Sequence, residues 1–158
     1  QGRNPADYLY IISKRKMKGL YYKLPLDFQG LMKRKDIDKI SIEDSIRQHI
    51  FLISTTSFGE CKFDESFGSE IWEMDFDLLK SNNNLREMMM NSLKRDISKN
   101  EKRVVLEDIS VEISDYNLGT MGKTRMKKRV QLTLKMLIKE TNRPLFFQNS
   151  FFVGPISY

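Results

Sequence analysis

One cysteine, one histidine and one tryptophan stand in 158 residues, and each scarcity closes off a kind of chemistry. Cys61 cannot form an internal disulfide, and one thiol with His49 falls short of a four-ligand zinc cage. No histidine neighbours Cys61, so an activated thiol nucleophile is unsupported. No apolar run approaches the ~20 residues that cross a bilayer. Tyr8 to Ile12 is too short even for the apolar core of a signal peptide. Neither a phosphate loop nor a dinucleotide fingerprint occurs. The expectation is a cytoplasmic chain with no membrane insertion, metal, cofactor or small-molecule substrate.

What is present suits one folded domain: 40% hydrophobic and 30% charged residues, in a length that encloses a single core. The net charge of +6 invites an anionic partner, but its distribution argues otherwise. Basic residues concentrate in Lys14 to Lys18 and Lys123 to Arg129, while Glu60 to Asp77 is acidic. A nucleic-acid reader interleaves basic and aromatic residues on one platform, and neither basic run contains an aromatic. Both runs read as solvated tail and loop, with no nucleic acid; an acidic partner is the second reading of Lys123 to Arg129.

Gln1-Gly2 reads as the remnant of a cleaved tag and Met17 as a native start. The chain then divides into an extension and arm over 1–40, with 1–16 set aside, and a single domain over 41–158. In the arm, Lys23-Leu24-Pro25-Leu26-Asp27-Phe28 reads as extended, because Pro25 steers Leu24 away from the helical region.

Ser41 followed by Asp44 marks a helix start, and Ile42, Ile46, Ile50 and Ile53 recur at helical spacing, with Phe51 and Leu52 widening the stripe. Ile71, Trp72, Phe76 and Leu79 predict a short buried helix over 69–79. The Asn82-Asn83-Asn84 cluster predicts a cap for a longer helix, whose stripe is Leu85, Met88, Met89, Leu93 and Ile97. Methionines and Trp72 are read as core, and His49 as a satisfied boundary residue.

After Asn100 the period drops from about 3.6 to 2. Val104 and Leu106 hold one parity and Val105, Ile109, Val111 and Ile113 the other, which predicts a bulge near Glu107. Val130, Leu132, Leu134, Met136 and Ile138 form a strand buried on one face. Thr141-Asn142-Arg143-Pro144 turns into a third strand through Leu145, Phe147, Phe151 and Val153. The expected fold is α+β, with N-terminal helices packed on one face of a three-stranded antiparallel meander.

Between the first two predicted helices runs Thr56 to Ser69. Gly59 and Gly68 permit tight turns, Asp64 or Ser66 can cap, and Phe63 and Phe67 can pin the loop to the core. Its Gly59-Glu60, Phe63-Asp64 and Phe67-Gly68-Ser69 resemble the signature of the baseplate wedge family labelled gene 25-like lysozyme, whose type VI secretion member is TssE. Glu101-Lys102-Arg103, ahead of the first long strand, is similar to the family's Glu-Pro-Arg element, with Lys102 in place of proline. Glu65 also stands where many relatives carry proline. The resemblance spans Ser41 to Lys139 and the order of elements.

The resemblance implies a structural wedge component that nucleates sheath assembly in a contractile injection machine, with wedge proteins and sheath subunits as partners. An open edge of the meander offers a partner strand its backbone donors and acceptors. Glu101, Lys102 and Arg103 become candidate partner contacts; without the resemblance, Glu101 and Arg103 read as ordinary surface charges. Two rivals remain: a regulatory anti-adaptor, which the fold also resembles, and a peptidoglycan hydrolase. The second needs a carboxylate pair with one raised pKa, and none of Glu60, Asp64, Glu65, Glu70, Glu73, Asp75 and Asp77 is singled out by spacing.

Overall fold

The computed structural model describes residues 21–34, 36–73, 81–117 and 126–153. Contacts divide the chain into two compact units, Gln1–Ser45 and Ile46–Tyr158.

In the first unit, β1 (Tyr21–Tyr22) pairs antiparallel with β2 (Lys39–Ile40). The Lys23 amide donates to Asp38 O at 2.9 Å and extends the ladder. The expected extended arm is corrected after Asp27: Phe28–Arg34 is a helix, α1. Asp27 Oδ1 accepts the Gly30 amide at 2.8 Å, an N-cap that lies beyond the reach of Pro25's steric bias. The start of α2 (Ile42–Thr55) falls where the sequence puts it. Ser41 Oγ accepts the Asp44 amide at 3.1 Å and donates to the Asp44 carboxylate at 3.0 Å.

In the second unit, Ile46, Ile50 and Ile53 of α2 are fully buried. Phe51 and Leu52 do not widen the stripe; they are exposed. A 3₁₀ turn, Glu70–Glu73, carries the buried Ile71 in place of a helix start, while Phe76 and Leu79 lie outside the described residues. α3 (Asn82–Asn100) is capped by Ser81, whose Oγ accepts the Asn83 amide, and not by the asparagine cluster. Leu85, Met89, Leu93 and Ile97 are buried at four-residue spacing. The interior reading of the methionines fails at Met88, which is exposed one position off that row.

The sheet is the expected meander: β3 (Val104–Asn117), β4 (Met126–Ile138) and β5 (Arg143–Val153), antiparallel in that order. Its register passes from Leu106↔Met136 to Asp108↔Lys135, so Glu107 is the bulged residue, and its carboxylate meets Lys135 Nζ at 3.0 Å. Val130, Leu132, Leu134, Met136 and Ile138 are each fully buried. Removing such side chains from water contributes roughly 1.5–3 kcal/mol apiece. At the β4–β5 turn Asn142 takes a φ of 51°, and its amide donates to Ile138 O at 2.8 Å.

α3 lies along β3, and Trp72 reaches β5, its ring 5.3 Å from that of Phe151. Trp72 Nε1 also donates to Ser54 O at 3.1 Å. The solvated-loop reading of Lys123 to Arg129 is corrected for its second half: Lys127, Lys128 and Arg129 belong to β4. Lys128 is buried between Asn82 and Asp115, with an Nζ to Asp115 Oδ1 distance of 3.1 Å. Lys123 to Arg125, Gly119, Gly122 and the run Lys14 to Lys18 lie outside the described residues. Among the described residues no helix is long and apolar enough to cross a membrane.

The helix rows predict a split between adjacent methionines. Met89→Ala is expected to lower unfolding free energy by about 3 kcal/mol, and Met88→Ala by less than about 0.5 kcal/mol, in urea denaturation. Equal losses would mean that α3 presents a different face to the sheet.

Candidate functional site

The segment Thr56 to Ser69 is a tightly bonded loop. Gly59 sits at φ 76° and its amide donates to Glu65 O at 2.8 Å. Glu60 Oε2 accepts the Ser57 amide at 3.0 Å. Asp64 Oδ1 accepts from the Ser66 amide and hydroxyl at 3.0 and 2.7 Å, and those two bonds hold its carboxyl below the usual range. Gly68 is required twice over: its φ is 125°, and a Cβ there would stand 2.5 Å from Thr56 O, the atom that accepts the Ser69 amide at 2.9 Å. Of the two aromatics expected to pin this loop, Phe67 does so and Phe63 does not. Phe63 is fully exposed at the tip, because the Cys61–Asp64 turn aims it outward.

Glu101 closes α3, its amide donating to Ile97 O at 2.8 Å. The reading of Glu101 and Arg103 as ordinary surface charges is overturned for the carboxylate, which is 2% exposed. Glu101 Oε1 accepts from the Arg103 amide at 3.0 Å and from Arg103 Nε at 2.9 Å. Its Oε2 accepts from Arg103 Nη2 and faces His49 Nδ1 at 2.9 Å. Burial pushes this carboxyl's pKa up, but the bonds from Arg103 and His49 outweigh it and bring it down to about 2. An ionised carboxylate only accepts, so the His49 tautomer facing it carries its proton on Nδ1. The fork of Arg103 that could grip a partner carboxylate is thus placed on Glu101. Lys102 is exposed, its Nζ donating to Ser98 O at 2.9 Å.

His49 joins what the sequence presents as two landmarks. From the margin of the buried row of α2 it bonds Glu101 and stacks on Phe67, with ring centroids 5.8 Å apart and planes at 22°. The loop and the Glu101-Lys102-Arg103 element therefore form one corner. No spacing in the sequence signals a contact across 52 residues. A shallow groove of about 500 Å³ lies elsewhere, lined by Glu70, Glu73, Met88, Asn91, Ser92 and Arg95. In it Arg95 bonds both Glu70 and the buried Asp96, and Asp96 also accepts the Ser92 hydroxyl at 2.9 Å. Among the described residues no three His, Cys, Asp or Glu side chains are grouped as a metal site.

A helix-backed meander with a charge-locked corner, whose edge strands β3 and β5 each pair only with β4 among the described residues, defines a small α+β scaffold. A crystal structure from Geobacter sulfurreducens, provisionally labelled a tail lysozyme, shares this fold at TM-score 0.60 and 17% identity, covering 77% of this chain and 100% of that one. No curated protein matches the sequence. The family model for baseplate wedge protein gp25 matches residues 40–143, and the chain belongs to that family. Its role is accordingly structural, in the baseplate of a tail-like machine, alongside other baseplate or tail components.

The locked carboxylate sets an acid limit. Unfolded, Glu101 takes up its proton near 4.5; folded, near 2. Between those values the unfolded state binds more protons, so stability rises with pH. The contribution is complete above about 4.5 and lost as pH falls through 2, on the order of 3 kcal/mol in all. Glu101→Gln is expected to start less stable at pH 6, then to lose about 2 kcal/mol less than wild type between pH 6 and pH 3 in urea denaturation. Parallel losses would dismiss the carboxylate as the source.

Proposed function

We propose that this chain is the template on which the first sheath subunits of a contractile injection machine, of type VI secretion or phage-tail kind, register by adding a strand to β5. The observation that carries this reading is the direction of the β5 backbone. Phe146 O accepts from Arg47 Nε at 3.4 Å and so points away from β4. Antiparallel strands alternate the direction of their backbone groups, which places those of Gln148, Ser150 and Phe152 on the same free edge. Pro144 shares that parity, where a missing amide costs no ladder bond. Arg47 and Pro144 blunt the start of the edge, leaving 148–152 as the length that no strand pairs among the described residues. The opposite edge strand, β3, carries the Glu107 bulge, a feature that interrupts pairing.

The rigid corner at Glu101, Lys102 and Arg103 offers wedge proteins a second, cationic contact through Lys102 and the part-exposed Arg103. Binding in the bacterial cytoplasm, and not glycoside hydrolysis, is the activity. A general acid of that reaction needs a raised pKa, whereas Glu101 and Asp64 are held low.

The test is recovery of sheath and wedge proteins from the same genome, co-expressed with the tagged chain. Gln148→Pro removes only an outward amide and is expected to cut sheath recovery at least tenfold while wedge recovery persists. Lys102→Glu, which leaves the Glu101–Arg103 pair intact, is expected to weaken wedge recovery. Undiminished sheath recovery by a folded Gln148→Pro chain sinks the strand-addition reading. Clearing of a peptidoglycan suspension by the purified protein would instead restore the hydrolase.

A further inference from the structure

In the sequence the basic run stands apart from any aromatic; the sheet register removes that separation. Tyr116 lies opposite Lys127 across β3–β4, and Phe152 lies opposite Arg129 across β4–β5. Lys128 turns inward between them, so Lys127 and Arg129 share the outer face with Tyr116 and Phe152. Those two rings are 45% and 47% exposed and reach across β4 to meet at 5.4 Å, tilted by 52°.

Several cations of the sheet and its helices are paired with carboxylates: Arg95 with Glu70 and Asp96, Arg103 with Glu101, Lys128 with Asp115, Lys135 with Glu107. Among the described residues neither Lys127 nor Arg129 has a carboxylate partner. Two unspent cations thus flank an aromatic pair that one strand's width of backbone holds in place.

We propose that this end of the outer face binds an acidic segment of a partner protein. Arg129 forks onto an Asp or Glu carboxylate, Lys127 adds attraction, and the Tyr116–Phe152 pair receives the apolar side chain next to it. The planar guanidinium matches a carboxylate in two bonds, and rings beside it exclude water from the contact. Arginine and tyrosine in such settings are the side chains that dominate binding energy.

Nucleic acid fits less well. The two rings pack on each other and do not stand apart as stacking platforms. The inference rests on the family's assembly role for the existence of a protein partner, but not on strand addition at β5. Any strand added beyond β5 is three strand spacings from β3, about 14 Å.

Tyr116, on the strand farthest from the free edge of β5, is the position for a photo-crosslinking p-benzoylphenylalanine, introduced in the full chain and co-expressed with the other baseplate proteins of its genome. The expected product is a single adduct whose sequenced peptide carries Asp or Glu within three residues of the crosslink. Arg129→Glu is expected to reduce it at least tenfold with an unchanged thermal midpoint. Reversing the partner's acidic residue to Arg should restore it, and Gln148→Pro should leave it intact. An adduct with nucleic acid, with a second copy of this chain or with a segment lacking acidic residues overturns the proposal. So does an adduct indifferent to Arg129→Glu, or none at all; if sheath recovery persists in that case, only this surface is lost.

Discussion

The Glu101 carboxylate sits where two forces oppose its charge. It is out of water, and it closes α3 at the end where the helix dipole is already negative. It stays ionised because Arg103 returns to it with backbone and guanidinium donors, and because His49 arrives from α2. Much follows from that arrangement. The turn from helix to sheet is fixed within three residues, and Arg103 O goes on to accept the Lys139 amide at 2.9 Å, tying the exit of α3 to the β4–β5 turn. His49 in turn sets the plane against which Phe67 lies, so the glycine-punctuated loop takes its orientation from the same charge. Removing one member of such a buried cluster strands the others, which is why the polar corner of a small domain constrains it as strongly as its apolar core.

This dependence changes what the Glu101-Lys102-Arg103 element can mean for binding. A guanidinium that holds its own carboxylate is positioned, not waiting. In the wedge contact proposed above, the corner would offer a pre-organised surface of fixed charge, which lowers the entropic cost of docking. At Arg129 the arrangement is reversed: the guanidinium has no carboxylate among the described residues, and its surroundings are aromatic. The same residue type thus serves two purposes in one sheet, and the difference lies in whether the fold supplies the anion.

Much of the fold was legible because periodicity reports directly on which face is buried. The β4 alternation, the parity switch that places the bulge at Glu107, the Ser41 cap and the Ile46, Ile50, Ile53 row are all local signals. What could not be read depends on contacts distant in sequence or on competition between local rules. α1 is not legible because Pro25 argues for extended backbone, while the Asp27 cap is seen only in the fold. Phe51 and Met88 read as interior yet are exposed, because a helical window cannot separate neighbouring positions at a stripe's margin. Phe63 reads as an anchor from its hydrophobicity, which says nothing of the turn that carries it outward. At the candidate site the residue types were readable in the loop and in the Glu101-Lys102-Arg103 element, but their union through His49 was not. Nor was the burial of Lys128, which needs Asp115 from one strand and Asn82 from a helix.

The order of elements also has a consequence for synthesis. The isoleucine row of α2 is made early, yet β5, which this helix meets through Arg47 and, by way of Trp72, through Ser54, ends at Val153, a hundred residues after Ile53. At 5–20 residues per second the ribosome leaves that row without its cover for roughly 5 to 20 seconds. The meander itself pairs only sequence neighbours and closes quickly once made. A nascent chain of this design therefore spends most of its vulnerable time as helices without a sheet, which is the interval in which chaperones have something to hold.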